Sequence, residues 1–238
     1  MIDIVIPLGV GSVGGRDDEL RLCLRSIEKY AQGIRWVWVI GHKPFWFVST
    51  ERYRHAAVEE FPATREGRSS RKVRWAFESL PLTNTIALWA DDYVMTRPMD
   101  VSQARNYSNG DLHFERDCRW AVTRERTKEA LHAAGYTTKN YELHFPIWFE
   151  REKYLSLGGW IDGDYHIRSV YGNMFCADCT KKRPDLKIHE PTRQRMGFAF
   201  RKFGLFSYDD HAVECGIISQ IAKRLPAGGE FDNGISDD

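Results

Sequence analysis

The first forty-one residues read as strand, loop, helix and strand, an order that restricts the fold class more than any other feature. Ile2 to Pro7 is a short apolar, β-branched run that ends at Pro7-Leu8-Gly9 and opens into a Gly-rich loop reaching Gly15. From Asp17 the period changes. Leu20, Leu24 and Ile27 share one face, Cys23 lies beside them, and Arg21, Arg25 and Lys29 are spread around it. That spacing predicts an amphipathic helix that starts at Asp17 or Asp18 and stops near Gly33. Arg35 to Ile40 (RWVWVI) is a second strand closed by Gly41. A βαβ unit of this kind has a right-handed crossover and parallel strands. The expected fold class is therefore α/β with a mostly parallel central sheet.

Later segments extend the pattern. Arg54 to Val58 predicts a third short strand, and Pro62 to Ser70 a polar loop. Arg71 to Leu80 places Val73, Phe77 and Leu80 on one helical face, and Thr85 to Ala90 is a buried strand running into Asp91-Asp92. Residues 102–119 are polar and irregular, as an excursion or lid would be, and Thr123 to Ala134 reads as helix ended by Gly135. After Glu150 come a short helix, a turn at Gly158-Gly159 and the basic run Lys181 to Arg183. With 238 residues the chain fits one domain, expected over 1–226, with a flexible Gly/Asp-rich tail at 227–238.

Composition excludes several classes. Hydrophobic residues make up 42% and charged ones 28%, which is a folded rather than a disordered chain. The 34 Lys+Arg against 33 Asp+Glu give +1, which argues against a polybasic nucleic-acid binder but leaves room for a local basic patch. Eight Trp and ten Tyr either fill the core or line a carbohydrate or base pocket. No apolar run approaches the ~20 residues of a membrane span. The N-terminus lacks the positive region of a signal peptide and reads as a strand. Five Cys, an odd number, point to reduced thiols and a cytoplasmic setting. The one close pair, Cys176 and Cys179, is open between paired buried thiols and a zinc site that would need two more ligands, for which His166 and His189 are nearby.

Open α/β sheets bind ligands beyond the carboxyl ends of their strands. Three such ends are marked: Pro7 to Gly15, Gly41-His42-Lys43 and Asp91-Asp92. The first lacks the ending of a P-loop and the spacing of a dinucleotide fingerprint. It is either a flexible turn or a place where Gly9, Gly11 and Ser12 let a nucleotide approach the backbone. The adjacent carboxylates Asp91 and Asp92 point to opposite faces. One is then suited to a hard divalent ion and the other to a neighbour or sugar hydroxyl, the alternative being an exposed turn pair.

The stretch Asp18 to Tyr30 (DELRLCLRSIEKY), followed by Arg35 to Gly41 and Pro44, resembles the opening of the Stealth family of sugar-phosphate transferases. It is equally similar to related glycosyltransferase-like proteins of phages and prophages. Ala90-Asp91-Asp92 stands where these have an Asn-Asp-Asp motif, with Ala90 in place of the Asn. Tyr141 to Pro146 (YELHFP) is similar to their His-x-Pro element, and Tyr171-Gly-Asn173 to a Tyr-Gly-Asn element. The likeness covers residues 2 to 175.

The resemblance implies a GT-A-like nucleotide-diphospho-sugar transferase fold and metal-dependent hexosyl transfer from a nucleotide sugar, such as a UDP-sugar, with Mn2+ or Mg2+. It also marks 95–130 and 175–226 as the variable, acceptor-side regions. Pro7, Leu8, Gly9, Gly11 and Ser12 would contact the nucleoside, and Arg25 phosphate or loop carbonyls. Arg71 and Lys72 would neutralise the diphosphate, unless they form a solvated helix end. Asp91 and Asp92 would hold the metal, with His211 of the Asp209-Asp210-His211 cluster as a further ligand. His144 is the candidate base or acceptor contact, against a structural histidine, and Asp91 and Asp164 the candidate catalytic carboxylates, Asp164 lying in an Asp-rich turn. The acceptor classes left open are a surface glycan, sugar-1-phosphate transfer in the Stealth manner, and a hydroxymethylated pyrimidine in phage DNA within the host cytoplasm. For DNA, Arg65 to Trp75 and Lys181 to Arg183 are phosphate-holding patches or merely solvated basic faces. Ala90 keeps open a non-catalytic nucleotide-sugar or glycan-binding module.

Overall fold

A computed structural model of the chain describes residues 1–10, 16–103, 105–112, 119–176, 183, 185–225 and 229–232. The first βαβ unit comprises β1 (Ile2–Leu8), α1 (Asp18–Tyr30), the two-residue β2 (Ala31–Gln32) and β3 (Ile34–Gly41). Then follow β4 (Tyr53–Ala56), α2 (Arg65–Ser79), β5 (Thr85–Leu88), and the short β6 (Val94–Met95) and β7 (Met99–Asp100). The chain continues through α3 (Arg119–Ala133), β8 (Ile147–Glu150), α4 (Arg151–Leu155), α5 (Gly159–Asp162) and α6 (Ile167–Phe175). It closes with β9 (Lys187–Ile188), α7 (Arg193–Lys202), β10 (Leu205–Tyr208), α8 (Asp210–Glu214) and α9 (Ile217–Ala222).

The central sheet has the order β4-β3-β1-β5-β8. β1 pairs in parallel with both β3 and β5, β3 in parallel with β4, and only β8 runs antiparallel. Alternation along β1 divides the core. Ile4, Ile6 and Leu8 face Leu20, Leu24 and Ile27 of α1, whereas Val5 joins Val73, Ala76 and Phe77 of α2. Each such Val, Leu, Ile or Phe side chain, withdrawn from water, contributes roughly 1.5–3 kcal/mol. At the N-terminal edge, buried Asp3 accepts two bonds from the Arg35 guanidinium, at 2.9 and 2.5 Å, and one from the Thr83 amide at 2.8 Å. That carboxylate stitches β1 to its neighbours and lies opposite the strand ends where ligands are expected.

Several boundaries differ from expectation. The segment expected as a polar loop supplies the first turns of α2. Thr64 caps it, its side chain accepting from the Gly67 amide at 3.1 Å, so the helix begins at Arg65 rather than Arg71. β5 ends at Leu88, although the Trp89 amide still reaches Val5 O at 2.9 Å. A second sheet, β6-β10-β9, packs with α7, α8 and α9 against Leu22 of α1. β6 and β9 have two residues each and carry no periodic signal, which is why the sequence does not announce them.

Residues 229–232 do not form the expected free tail. Phe231 is fully buried beside Tyr53 and Trp46, its carbonyl accepts from the Val48 amide at 2.9 Å, and Asp232 lies 3.1 Å from Arg25. Among the described residues no helix is long and apolar enough to cross a membrane.

Candidate functional site

Because β1, β3 and β5 are parallel, their carboxyl ends meet along one edge of the sheet. There a cleft of about 540 Å³ opens, walled by Pro7 and Leu8 at the end of β1, by Gly9 just beyond it, and by Trp89 to Tyr93 after β5. α2 closes one side with Arg68, Ser70 and Lys72, and the segment 142–144 with the start of α6 closes another. Lys187 of β9 and Asp210 of α8 complete the rim. Gly41 is what lets Lys72 in. Its φ of 108° and missing side chain leave room where a Cβ would lie 2.4 Å from Leu8 O and 2.7 Å from Lys72 Nζ. Lys72 Nζ donates to Leu8 O at 2.7 Å and to Glu60 Oε1 at 2.5 Å, so this buried ammonium fixes the end of β1.

Asp91 and Asp92 form a turn at the cleft floor, with Lys187 Nζ 3.9 Å from Asp92 Oδ2. Their charge reaches into the core. Burial pushes the Cys23 thiol well up, and Asp91 and Asp92 push it the same way. Burial likewise raises the Tyr208 phenol, with Glu19, Asp92, Cys23 and Asp91 adding to it. A site this negative favours a cation. Two adjacent carboxylates supply hard oxygen donors of the kind that hold Mg2+ or Mn2+ when substrate phosphates and water complete the shell. No cluster of three His, Cys, Asp or Glu suited to a metal occurs among the described residues, so the pair fits only an ion that is shared with its substrate.

Opposite the acid pair, the chain from 141 to 146 is held at several points. The His144 amide donates to Asp185 Oδ1 at 2.8 Å, and His144 Nδ1 lies 2.8 Å from Asp185 Oδ2. With the proton on Nδ1, the Nε2 lone pair is left for another group. Burial works against ionisation of Asp185, but the two bonds from His144 and the charge of Arg168 hold its carboxyl below the usual range. Tyr93, immediately after the acid pair, donates to Leu143 O at 3.2 Å and to Phe145 O at 3.4 Å. Arg168 donates to Tyr93 Oη at 3.0 Å and also to Phe145 O. Burial and Asp92, against the opposing charge of Arg168, push the Tyr93 phenol up to about 12, so it remains a donor. Tyr93 thus ties the strand end carrying the carboxylates to the backbone on both sides of His144.

Glu142 serves a different purpose. It accepts from the Ser169 amide and hydroxyl, both at 2.9 Å, and so caps the start of α6, while His166 Nδ1 lies 3.6 Å away. Burial opposes its ionisation. The His166 bond and charge, the Arg168 charge and the Ser169 bond outweigh that and hold the carboxyl down to about 2.

The same arrangement of strands occurs in solved structures. The galactosyltransferase LgtC in complex with donor and acceptor sugar analogues matches over 96% of this chain and 98% of its own, with a TM-score of 0.52 at 11% identity. An active-site mutant of LgtC matches to the same extent. The chain has a GT-A glycosyltransferase fold. No protein-family model and no curated protein matches the sequence.

The GT-A cleft gathers Pro7, Leu8, Gly9, Lys72, Asp91, Asp92 and His144 from the residues that the sequence singles out. Gly11 and Ser12 lie outside the described residues, as do Cys179, Lys181 and Lys182. Four others are elsewhere. Arg25 is buried in an ion pair with Asp232 at 3.1 Å instead of facing phosphate. Arg71 turns to Asp164 at 3.5 Å and donates to Asp162 O at 2.9 Å, which takes both Arg71 and Asp164 away from the cleft. His211 projects from α8 toward Glu214 and Cys215, each 3.7 Å away, and does not join Asp91 and Asp92. On the basic face of α2, Arg74 is bidentate to Asp162 at 3.0 and 2.8 Å, while Arg68 stays exposed at the cleft.

Sequence reasoning misses Asp185, Arg168, Glu142, Tyr93 and Lys187. Only Tyr93 and Glu142 carried a local signal, as immediate neighbours of the marked Asp92 and, two positions along, His144. The Tyr171-Gly-Asn173 element is structural. A Cβ on Gly172 would lie 2.4 Å from the Tyr141 ring, and Asn173 bonds Thr137 and Lys139.

Proposed function

We propose that the protein is a glycosyltransferase that moves a sugar from a nucleotide-diphospho-sugar, a UDP-sugar, to an acceptor hydroxyl. The observation that carries this is one cleft at the strand ends that brings together Pro7 to Gly9, the Asp91-Asp92 pair and the His144–Asp185 pair. LgtC, whose fold it shares, is described with donor and acceptor sugar analogues, which supports the same class of donor. Pro7, Leu8 and Gly9 take the nucleoside, and Asp91 and Asp92 would hold Mn2+ or Mg2+. Such an ion, when bound, neutralises charge on the leaving nucleoside diphosphate.

His144 Nε2 faces the acceptor. The acceptor oxygen forms its bond to the anomeric carbon as the bond to the diphosphate breaks, and the acceptor proton passes to Nε2. Asp185 keeps Nδ1 protonated and stabilises the imidazolium that results. Arg71 and Arg74 are engaged with acids on the protein, which favours a glycan hydroxyl over phosphate-rich DNA.

The test is incubation with a panel of UDP-sugars and Mn2+, with glycan and hydroxymethylcytosine-containing DNA acceptors, while UDP, UMP and free sugar are measured. Release of UDP with a mass increase on a glycan is the expected result. Release of UMP would replace this mechanism with sugar-1-phosphate transfer of the Stealth kind. Metal-dependent UDP binding without turnover of any donor would make the protein a binding module.

A further inference from the structure

Arg168 enters none of the steps above, yet it lies at the centre of the charged groups behind His144. We propose that Arg168 is a positioning residue for His144: through Phe145, Tyr93 and Asp185 it fixes the base and sets the pH range over which the base works. This rests on His144 acting as proposed, and one arm of the test does not.

Two observations carry it. The first is mechanical. Arg168 is half-buried in the first turn of α6, and its fork grips Phe145 O, one residue from His144, and Tyr93 Oη, which in turn holds Leu143 O. The carbonyls on both sides of His144 are thus fastened to one guanidinium and the phenol it bonds. The second is electrostatic. The Asp185 carboxylate bonds the imidazole at Nδ1. Arg168 is a fixed positive charge that acts on the same carboxylate from behind, so the imidazole feels a partly compensated partner.

The other charged groups around the base do not replace it. Glu142, two residues along, is engaged with Ser169 and His166. Arg183 is stacked on the Phe145 ring, 3.6 Å from its centroid. Across the cleft, Asp92 and Lys187 face each other at 3.9 Å. Tyr93 stays protonated through the working range.

The experiment uses the full chain and the variants Arg168→Gln and Arg168→Lys. Gln keeps a donor for Phe145 O and removes the charge, and Lys keeps the charge and removes the fork. The His144 ring is titrated by NMR, with its signals assigned by comparison with His144→Gln. In Arg168→Gln the titration midpoint rises by about half a unit to one unit. In Arg168→Lys it stays within about 0.2 of wild type. In a transferase assay the acid limb of the pH–rate profile for Arg168→Gln moves to higher pH by the same amount. Arg168→Lys lowers kcat at unchanged limbs.

A midpoint in folded Arg168→Gln that coincides with wild type overturns the proposal. If that variant does not fold, Arg168→Met, which likewise removes the charge, takes its place with the same expected and overturning midpoints. The NMR midpoint needs no turnover. A chain without transferase activity whose midpoint still moves refutes the transferase mechanism and leaves the Arg168 coupling standing, whereas an active enzyme with unmoved limbs does the reverse.

Discussion

Asp92 is the residue on which the proposed chemistry turns. Its side chain is only 19% exposed, and Lys187 Nζ lies 3.9 Å from its Oδ2. An exchange to Asn changes the charge of the cleft at nearly constant side-chain size, and the loss of the Lys187 pair costs about 0–1 kcal/mol. Asp92→Asn is expected to lower donor turnover about a hundredfold or more and to abolish metal-dependent UDP binding, with Tm within a few degrees of wild type. Calorimetric UDP titration with and without Mn2+, alongside a thermal melt, checks it. Unchanged binding would remove Asp92 from the metal assignment. The acid pair is legible because it ends a hydrophobic run, a local event. Arg25, Arg71 and Asp164 are not, because their partners are set by tertiary structure: Asp232 lies 207 residues beyond Arg25, and Asp162 lies 91 beyond Arg71. Charge in a sequence shows that an ion pair is available but not with whom.

The most informative element is the short segment 229–232. Phe231 fills the space between Trp46 and Tyr53, and Trp46 Nε1 donates to Arg16 O at 2.7 Å, just before α1. Asp232 closes the other side against Arg25 and Arg21, at 3.1 and 3.5 Å. The segment thus supports the chain from Arg16 to Asp17, which runs into the cleft wall. Phe231→Ala should cost about 3–5 kcal/mol and lower Tm by roughly 10 °C. It should also weaken UDP binding, since Trp46 loses its packing beside the loop. A melt and a UDP titration on one preparation read both effects, and a Tm unchanged within 2 °C, on the order of the shift from 1 kcal/mol, would show that the segment is not seated in solution. Gly and Asp dominate the sequence around Phe231, so composition hides a single aromatic anchor. The helices are the reverse case: α1 and the core of α2 announce themselves through repeated apolar positions, which one deviant residue cannot mask.

On the scale of the whole molecule, the parallel sheet follows from the first βαβ unit, and the site at its carboxyl edge follows from the sheet. The second sheet and the placing of the 141–146 segment depend on contacts between distant parts and surface only in three dimensions. The groups that lock this second half onto the first are carboxylates, and that dictates how stability responds to acid. Glu142 is held down to about 2 in the folded state, and Asp185 and Asp209 are also depressed despite burial, through their histidine partners. A depressed carboxylate contributes stability above its unfolded value, and that contribution is lost as pH falls through the folded value. For Glu142 the contribution is on the order of 3 kcal/mol at neutral pH, and it disappears between roughly pH 4.5 and pH 2. Glu142→Gln should therefore be less stable than wild type at pH 7, because α6 loses an ionised cap, and the two should converge as pH approaches 2. Urea midpoints measured from pH 7 to pH 2.5 follow the difference. A gap that stays constant over that range would mean that Glu142 acts through packing rather than charge. A gap that closes would place the junction between the acid pair and the His144 segment among the first parts of the molecule to loosen in acid.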